Sequence, residues 1–379
     1  MAETEQTPIQ KNHEPVSWKT APFLAIKGFI MGSADVVPGV SGGTMALILG
    51  IYKRLIDAIR SFDVDFLKHF FTFKFREALA GLDWKFLFIL ISGIVSAILF
   101  FTKVVPLQVF MFTDPELIYG LFFGLIVGSI VVLAKAIEGF NWVHGLMIVI
   151  GTLIGFWIVT LVPTATPESS LFLFLSGAIA ISAMVLPGIS GSYILLILRK
   201  YDFILSEIGR LGTPETLNGI ITLIPFGLGI IFGLALFTRV LSWLLDRYET
   251  RTLALLIGFM IGSLYVIWPY QDRTYQEIVS KEEVIAYNSL RAEELRDHSP
   301  DKKQPEFQRL GMVLNPDAEQ EAQKKVELLT VKQKLVNSDP YMPSLAGGGP
   351  RSEYLAEGIW GMVIGLIMVI GLDYLRLKG

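Results

Sequence analysis

Long apolar runs separated by short polar segments make up most of the chain. A helix needs about 20 apolar residues to cross a hydrocarbon core of roughly 30 Å, and six runs approach or exceed that length. We predict membrane-spanning helices at residues 86–110, 117–134, 143–162, 217–245, 253–268 and 355–372. The pattern therefore predicts an all-α integral membrane protein.

Three further apolar runs are too short to span a membrane, and they flank two proline–glycine breaks. The runs cover 23–36, 44–59 and 171–185, and the breaks read Val-Pro-Gly-Val-Ser-Gly-Gly at 37–43 and Leu-Pro-Gly-Ile-Ser-Gly-Ser at 186–192. A membrane protein tolerates such a break only where the freed backbone lines a cavity or is buried in protein. We predict two re-entrant helical hairpins, each entering and leaving the membrane on one side.

The two breaks belong to an internal repeat. Aligning them at an offset of 149 residues also pairs Tyr52 with Tyr201, and two further motif pairs follow in the same order. They are Phe-Thr-Lys-Val from 101 with Phe-Thr-Arg-Val from 237, and Gly-x-x-x-Gly-Ser from 124 and from 258. Each half would then contain one hairpin and three spans. Because three is odd, the second half is predicted to be inverted relative to the first, as in many transporters.

The charge of the loops predicts the orientation and the domains. Segments assigned to the cytoplasm hold fourteen lysines and arginines, whereas the three short outer loops hold three, so both termini are expected inside. The predicted domains are a cytoplasmic tail (1–22), a first membrane repeat (23–163), a second membrane repeat (171–270 plus 354–375) and an extracytoplasmic insertion (271–353). The insertion has helical composition with dense charge at 282–297 and 317–336. We predict a small helical domain there, most simply a solvated cap.

Composition narrows the function further. The chain is 52% hydrophobic and 18% charged, with a net charge of −3 and no cysteine. The absence of cysteine excludes a disulfide, a thiolate metal site and a cysteine nucleophile, and no basic face points to nucleic acid. We predict neither a metal site nor a cofactor.

Two longer stretches carry the repeated motif in a wider context. The first has Lys-Gly-Phe at 27–29, Gly-Ser-Ala-Asp-Val-Val-Pro-Gly-Val-Ser-Gly-Gly-Thr at 32–44 and Leu-Gly-Ile-Tyr at 49–52. The second is Ala-Ile-Ser-Ala-Met-Val-Leu-Pro-Gly-Ile-Ser-Gly-Ser-Tyr at 180–193. Both resemble the signatures of the bacterial polyprenyl-phosphate transporter family, long known as a domain of unknown function. The resemblance covers residues 23–270 and the last span.

The resemblance implies a lipid transporter of the bacterial inner membrane. Its substrate would be undecaprenyl phosphate, the carrier of cell-wall precursors, moved from the outer to the inner leaflet among the other membrane lipids. Two departures stand out: the second half has Arg199 and Lys200 where the first has Gly50 and Ile51, and the insertion lies outside the signature pattern.

The breaks themselves are suited to an anion. A helix that restarts after a break presents unpaired N–H groups and the positive end of its dipole. Serine and threonine add hydroxyl donors, and glycine permits close backbone approach. The alternative is that the glycines only let the tips pack and the hydroxyls cap helices. The candidate substrate-binding residues are Pro38, Gly39, Ser41, Gly42, Gly43, Thr44, Pro187, Gly188, Ser190, Gly191 and Ser192.

Three charged residues lie in or beside apolar runs. Lys103 and Arg239 occupy equivalent places in the repeat. A cation within a membrane normally has a counter-charge or a charged ligand, so they are either gates for a phosphate headgroup or anchors that snorkel to an interface. Asp35 has no equivalent carboxylate, because Met184 stands in its place. It could couple transport to protons, or simply accept hydrogen bonds from the amides freed at the break.

Three classes of function remain open on these residues. The repeat and the paired breaks favour a transporter or flippase, with no catalytic residue. A polyprenyl-diphosphate phosphatase would bind the same lipid but would need an acid–base constellation, and the four histidines, at 13, 69, 144 and 298, lie outside the signatures. A channel or an anion or ion transporter is the third class. A channel would need rings of carbonyl or acidic groups, whereas the two breaks are suited to an anion.

Overall fold

A computed structural model describes residues 16–36, 41–105, 107–161, 166–167, 169–210, 212, 214, 216–297, 304–314, 324–343 and 354–378. The protein is mostly helical. Four helices are long and apolar enough to cross a membrane: Trp84–Phe101, Pro115–Lys135, Trp142–Val159 and Thr216–Ser263. The chain is therefore a membrane protein, and the described residues are mostly helical.

The elements follow in this order. The helices are α1 Ala21–Asp35, α2 Gly42–Ile48, α3 Tyr52–Arg60, α4 Val64–Phe71, α5 Phe75–Gly81, α6 Trp84–Lys103, α7 Leu107–Thr113, α8 Pro115–Lys135, α9 Trp142–Val159, α10 Ser170–Val185, α11 Gly191–Ile197, α12 Tyr201–Gly209, α13 Thr216–Ser263, α14 Leu290–Asp297 and α15 Leu355–Lys378. The strands are β1 Gln271–Ala286, β2 Glu306–Val313 and β3 Lys325–Pro340.

These elements form two compact units. The first comprises residues 1–104, 125–267 and 366–379, and the second comprises 105–124 and 268–365. The first unit contains the segments predicted to form the hairpins, with α2 buried along its whole length. The second unit contains the sheet. Each unit has its own packing and is described by itself.

Element bounds recur at the predicted repeat offset. The seven residues of α2 correspond to the seven of α11, and the nine of α3 to the nine of α12, both at a spacing of 149. The first arm of each hairpin, α1 or α10, is 15 or 16 residues long. Such arms are shorter than the roughly 20 residues of a full span.

The run 44–59, expected to form one arm, is two short helices instead. Gly50 lies between α2 and α3 with φ +67°, and Arg199 lies between α11 and α12 with φ +51°. A left-handed residue stops a helix and turns the chain. The departure from the repeat at Arg199 therefore preserves the backbone shape, although arginine adopts this conformation at a cost that glycine avoids.

This difference predicts opposite effects of two exchanges. Gly50→Ala should destabilise the protein by about 1 kcal/mol, because a Cβ disfavours the left-handed conformation, whereas Arg199→Gly should raise stability or leave it unchanged. Thermal unfolding of the detergent-solubilised protein measures both. Equal destabilisation by the two exchanges would contradict this explanation.

A close helix crossing also occurs twice in the first unit. A Cβ added to Gly93 would collide with the carbonyl oxygen of Ala25 on α1, and one added to Gly229 would collide with that of Phe174 on α10. Gly93 and Gly229 are related by the 136-residue offset that aligns 101 with 237. Small residues at such crossings let two helices approach within backbone contact. The hairpin arms are thus fixed to α6 and α13 in the same way.

Two span boundaries differ from those predicted. The run 86–110 ends as a helix at Lys103, before the proline at position 106 of the sequence, which cannot donate a helical hydrogen bond. The runs 217–245 and 253–268 are joined in α13, which is interrupted at Tyr248 (φ −138°, ψ 46°). The kink at Tyr248 separates the two predicted spans without a loop.

The prediction of a small helical insertion, and with it an all-α fold, is wrong. The second unit contains an antiparallel sheet in the order β1-β3-β2, and α14 is the single helix described between 271 and 343. In β3, Val326 and Leu328 are buried at the two-residue spacing of a strand. Pairing with distant strands decides this structure, and local composition cannot report it.

Candidate functional site

The tips of the two hairpins meet in the first unit. The Ser41 hydroxyl lies 3.3 Å from the carbonyl oxygens of Met184 and Leu186, and the Gly188 N–H donates to Thr44 Oγ1 at 2.9 Å. Ser41 and Thr44 are buried. These side chains hold the end of α10 and the following turn against the start of α2.

Backbone packing at this junction requires glycine at two positions. A Cβ on Gly43 would lie 2.9 Å from the carbonyl oxygen of Val185, and one on Gly188 would lie 2.9 Å from that of Phe259. Gly188 also has φ +87°, in the left-handed region. Gly43 and Gly188 therefore allow close backbone packing at this junction.

Asp35 completes the first tip. Its carboxylate accepts a hydrogen bond from the Gly42 N–H at 2.7 Å, across the break between α1 and α2. A carboxylate at this place accepts from an N–H group that the start of a helix would leave unpaired. Its negative charge also interacts favourably with the positive end of the α2 dipole. Asp35 thus accepts an amide at the break, as one of its two predicted roles requires.

The second tip is arranged differently. Pro187 and Gly188 form the turn after α10, and the Ser190 and Ser192 hydroxyls are 2.8 Å apart. Ser190 precedes α11 without a side-chain capping bond, whereas Ser41 accepts one from Gly43 N–H at 3.2 Å. Ser190 is half-buried and Ser192 is exposed. The hydroxyls of the second tip are therefore the accessible pair.

The two predicted cations lie away from this junction. Lys103 is exposed at the end of α6, and the Arg239 guanidinium donates to the carbonyl oxygen of Ala235 in its own helix at 2.7 Å. No ion pair or hydrogen bond among the described residues joins either cation to the hairpin tips. Pro38 and Gly39 lie outside the described residues. No group of acidic, histidine or cysteine side chains suited to a metal occurs in the described part of the chain.

An ion cluster that the sequence did not reveal joins α3 to α13. Lys53 Nζ lies 2.9 Å from Asp57 and 2.8 Å from Asp246, and Ser242 donates to Asp57 while accepting from Arg60, both at 3.0 Å. Burial lowers the pKa of Lys53, but the hydrogen bonds and charges of the two aspartates outweigh it and raise the pKa overall. In the sequence, the Lys–x–x–x–Asp spacing was the signal that could have indicated the Lys53–Asp57 pair, because residues four apart are neighbours on a helix.

The sequence also did not indicate a hydrogen bond made by the Tyr52 hydroxyl. Tyr52 is buried, and its hydroxyl donates to the carbonyl oxygen of Val185 at 2.9 Å. The repeat aligns Tyr52 with Tyr201, but the alignment alone does not identify this partner. Together with Ser41 and Thr44, Tyr52 gives the first hairpin three side-chain bonds to the second.

Comparison with known proteins agrees with this arrangement of motifs. Residues 31–285 match the VCA0040-like family, described as undecaprenyl phosphate translocase-like. A polyprenyl-phosphate transporter of Vibrio cholerae is 37% identical over 269 residues, which are 70% of this chain and 84% of the relative. A polyprenyl-phosphate transporter of Staphylococcus aureus is 32% identical over 258 residues, 64% of this chain and 85% of the relative. No solved structure matches the chain. The chain therefore belongs to the undecaprenyl phosphate translocase-like family.

Proposed function

We propose that this protein moves undecaprenyl phosphate, or a closely similar polyprenyl phosphate, from the outer to the inner leaflet of a bacterial cell membrane. The observation that carries the proposal is the meeting of two broken hairpins in a chain whose relatives are named transporters. The chain is a transporter rather than an enzyme. The lipid would therefore return chemically unchanged, ready to carry another cell-envelope precursor.

An inverted arrangement of the two halves would give the lipid a path through the protein. The element bounds that recur at 149 residues support a structural repeat, and an odd number of spans in each half supports inversion. In this arrangement the two hairpins enter from opposite sides. Both termini are cytoplasmic, and residues 271–353 are extracytoplasmic.

The second hairpin tip is the better place for the phosphate. At the first tip the Asp35 carboxylate already accepts the Gly42 N–H, and it would repel a second anion there. Met184 stands at the equivalent place in the second tip and carries no charge. Ser190 and Ser192 can each turn a hydroxyl hydrogen toward a phosphate oxygen. The headgroup is thus expected to contact Ser190 and Ser192 directly.

Lys103 and Arg239 would act before and after this step, one on each side of the membrane. A lipid phosphate passing close to either cation would supply the counter-charge that a cation in an apolar run lacks. Asp35 would couple the cycle to protons: protonation would weaken its bond to Gly42 and remove the negative charge from the first tip. These roles extend the proposal and rest on it.

Reconstitution tests the proposed transport. Purified protein in liposomes should change the leaflet in which a labelled polyprenyl phosphate reacts with a membrane-impermeant reagent. Ser190→Ala and Arg239→Gln should each slow this movement on the order of tenfold, because each loses a hydrogen bond to an anion. Ser206→Ala is the matched control, since that hydroxyl is exposed on α12 and bonds its own helix.

Two outcomes would count against the proposal. Liposomes with wild-type protein that behave like protein-free liposomes would refute transport. Release of inorganic phosphate from polyprenyl diphosphate by the wild type, but not by Arg239→Gln, would favour a phosphatase.

A further inference from the structure

A buried lysine lies at the other end of the second hairpin from its tip. Lys200 precedes α12 and is only 3% exposed. Its ammonium lies 5.5 Å from the ring centre of Phe172 and 5.6 Å from that of Phe203. The seven residues of α11 separate Lys200 from the tip by roughly 10 Å at 1.5 Å per residue.

The Lys200 ammonium has three N–H donors and no acceptor. No carbonyl, hydroxyl or carboxylate oxygen among the described residues lies within hydrogen-bond or ion-pair distance of it. Its aromatic neighbours interact with a cation through their faces, but they satisfy none of its donors. Among the described residues, Arg273 Nε is the fully buried side-chain nitrogen that lacks a hydrogen-bond partner, so the nitrogen of Lys200 reaches the surface although the rest of its side chain is buried. Its N–H donors are therefore open to a ligand.

One lysine of the first hairpin is bonded within that hairpin. Lys27, on α1, donates to the carbonyl oxygen of Leu49 at 2.9 Å. The equivalent carbonyl in the second hairpin is that of Leu198, and the Thr166 hydroxyl donates to it at 2.7 Å. A threonine thus takes the place that the first hairpin gives to a lysine. At the 149-residue offset Lys27 aligns with Ser176 and Lys200 with Ile51, so Lys200 is a cation that the first hairpin lacks at that position.

The position of Lys200 also favours an anion. It stands at the N-terminus of the nine-residue α12, and its side chain makes no capping bond. The first N–H groups of a helix carry partial positive charge, so a cation at this end is unfavourable unless an anion lies between them. Asp202 is exposed in the first turn of α12. Lys200 and the first N–H groups of α12 thus place two positive groups next to each other, which an anion can bridge.

We propose that Lys200 and the N-terminus of α12 bind the phosphate group of the transported lipid at the base of the second hairpin, before it reaches the tip. The inference rests on the proposed function for the identity of the lipid. Lys200 and Ser190 lie at opposite ends of α11, roughly 10 Å apart. One phosphate therefore cannot contact both at once and would contact them in succession. In the proposed topology this base faces the outer leaflet, so Lys200 would receive the lipid there.

Binding measurements on the full-length protein test the site. We expect Lys200→Met, which keeps the apolar stem between the two rings, to bind a short-chain polyprenyl phosphate roughly tenfold more weakly or worse. Lys200→Arg should retain most of the affinity. Arg199→Gln is the matched control, because it removes the exposed neighbouring charge and leaves Lys200 in place. Affinities are normalised to folded protein.

The outcomes separate this inference from the proposed function. Unchanged affinity and outer-leaflet uptake in Lys200→Met, with a wild type that transports, would overturn the site and leave the function intact. Loss of affinity in Arg199→Gln equal to that in Lys200→Met would also overturn it, since general positive potential would then suffice. A wild type that neither binds nor moves the lipid would refute the function itself. Equal competition by inorganic phosphate would keep the site and assign it to the free anion.

Discussion

Gly229→Ala is expected to destabilise the protein by about 1–3 kcal/mol, whereas Gly227→Ala in the same helix should be neutral or slightly stabilising. The added methyl at Gly229 would collide with the backbone of Phe174, but nothing lies within 4 Å of a Cβ on Gly227. Backbone cannot yield as a flexible side chain can, so α10 and α13 must separate. Thermal unfolding and folded yield in detergent measure the difference.

The repeat supplies a second test of the same crossing. Gly93→Ala should behave like Gly229→Ala, because its methyl would meet the carbonyl oxygen of Ala25 on α1. If Gly229→Ala and Gly227→Ala unfolded at the same temperature, the close approach of the hairpin arm to α13 would be incorrect.

Thr44→Val is expected to lose about 1–3 kcal/mol of stability and most of the transport rate. Valine has nearly the shape of threonine, but it leaves the buried Gly188 N–H without its acceptor. The turn that carries the second tip would then be free to shift. Thr44→Ser should restore both properties, because it keeps the hydroxyl and removes only a methyl.

Stability and transport must be measured on the same preparations. Wild-type stability in Thr44→Val would show that Gly188 finds another acceptor, and it would contradict the role of this bond. The Tyr52→Phe exchange, which removes the bond to Val185, is a useful comparison because it affects the same junction through another residue.

The breaks between the short helices could be predicted because their signals are local. A proline–glycine break between short apolar runs interrupts a helix wherever it occurs, and duplication identified the two breaks as equivalent. The helix ends between α2 and α3 and between α11 and α12 were harder to predict. Gly50 signals such a stop by its residue type, but Arg199 does so only through its alignment with Gly50.

The partners at the site could not be predicted in the same way. Ser41 and Thr44 were expected to contact a ligand, yet their hydroxyls bond backbone atoms about 145 residues away in the chain. Residue type shows that a hydroxyl needs a partner but not which one. The strands of the insertion were not predicted for a related reason. The dense charge of β1 and β3 is also typical of an exposed helix, and only their pairing distinguishes the two.

The pairing of β1 with β3 brings the two ends of the insertion together. Gln271 is paired with Pro340, and the Tyr341 N–H donates to the Tyr270 carbonyl oxygen at 3.0 Å. The chain thus leaves and returns across one strand spacing, about 4.8 Å. The entropy of closing such a segment grows only slowly with its length. The length of the segment between these paired points can therefore change at little entropic cost without moving the points themselves. The family match ends inside β1, at residue 285.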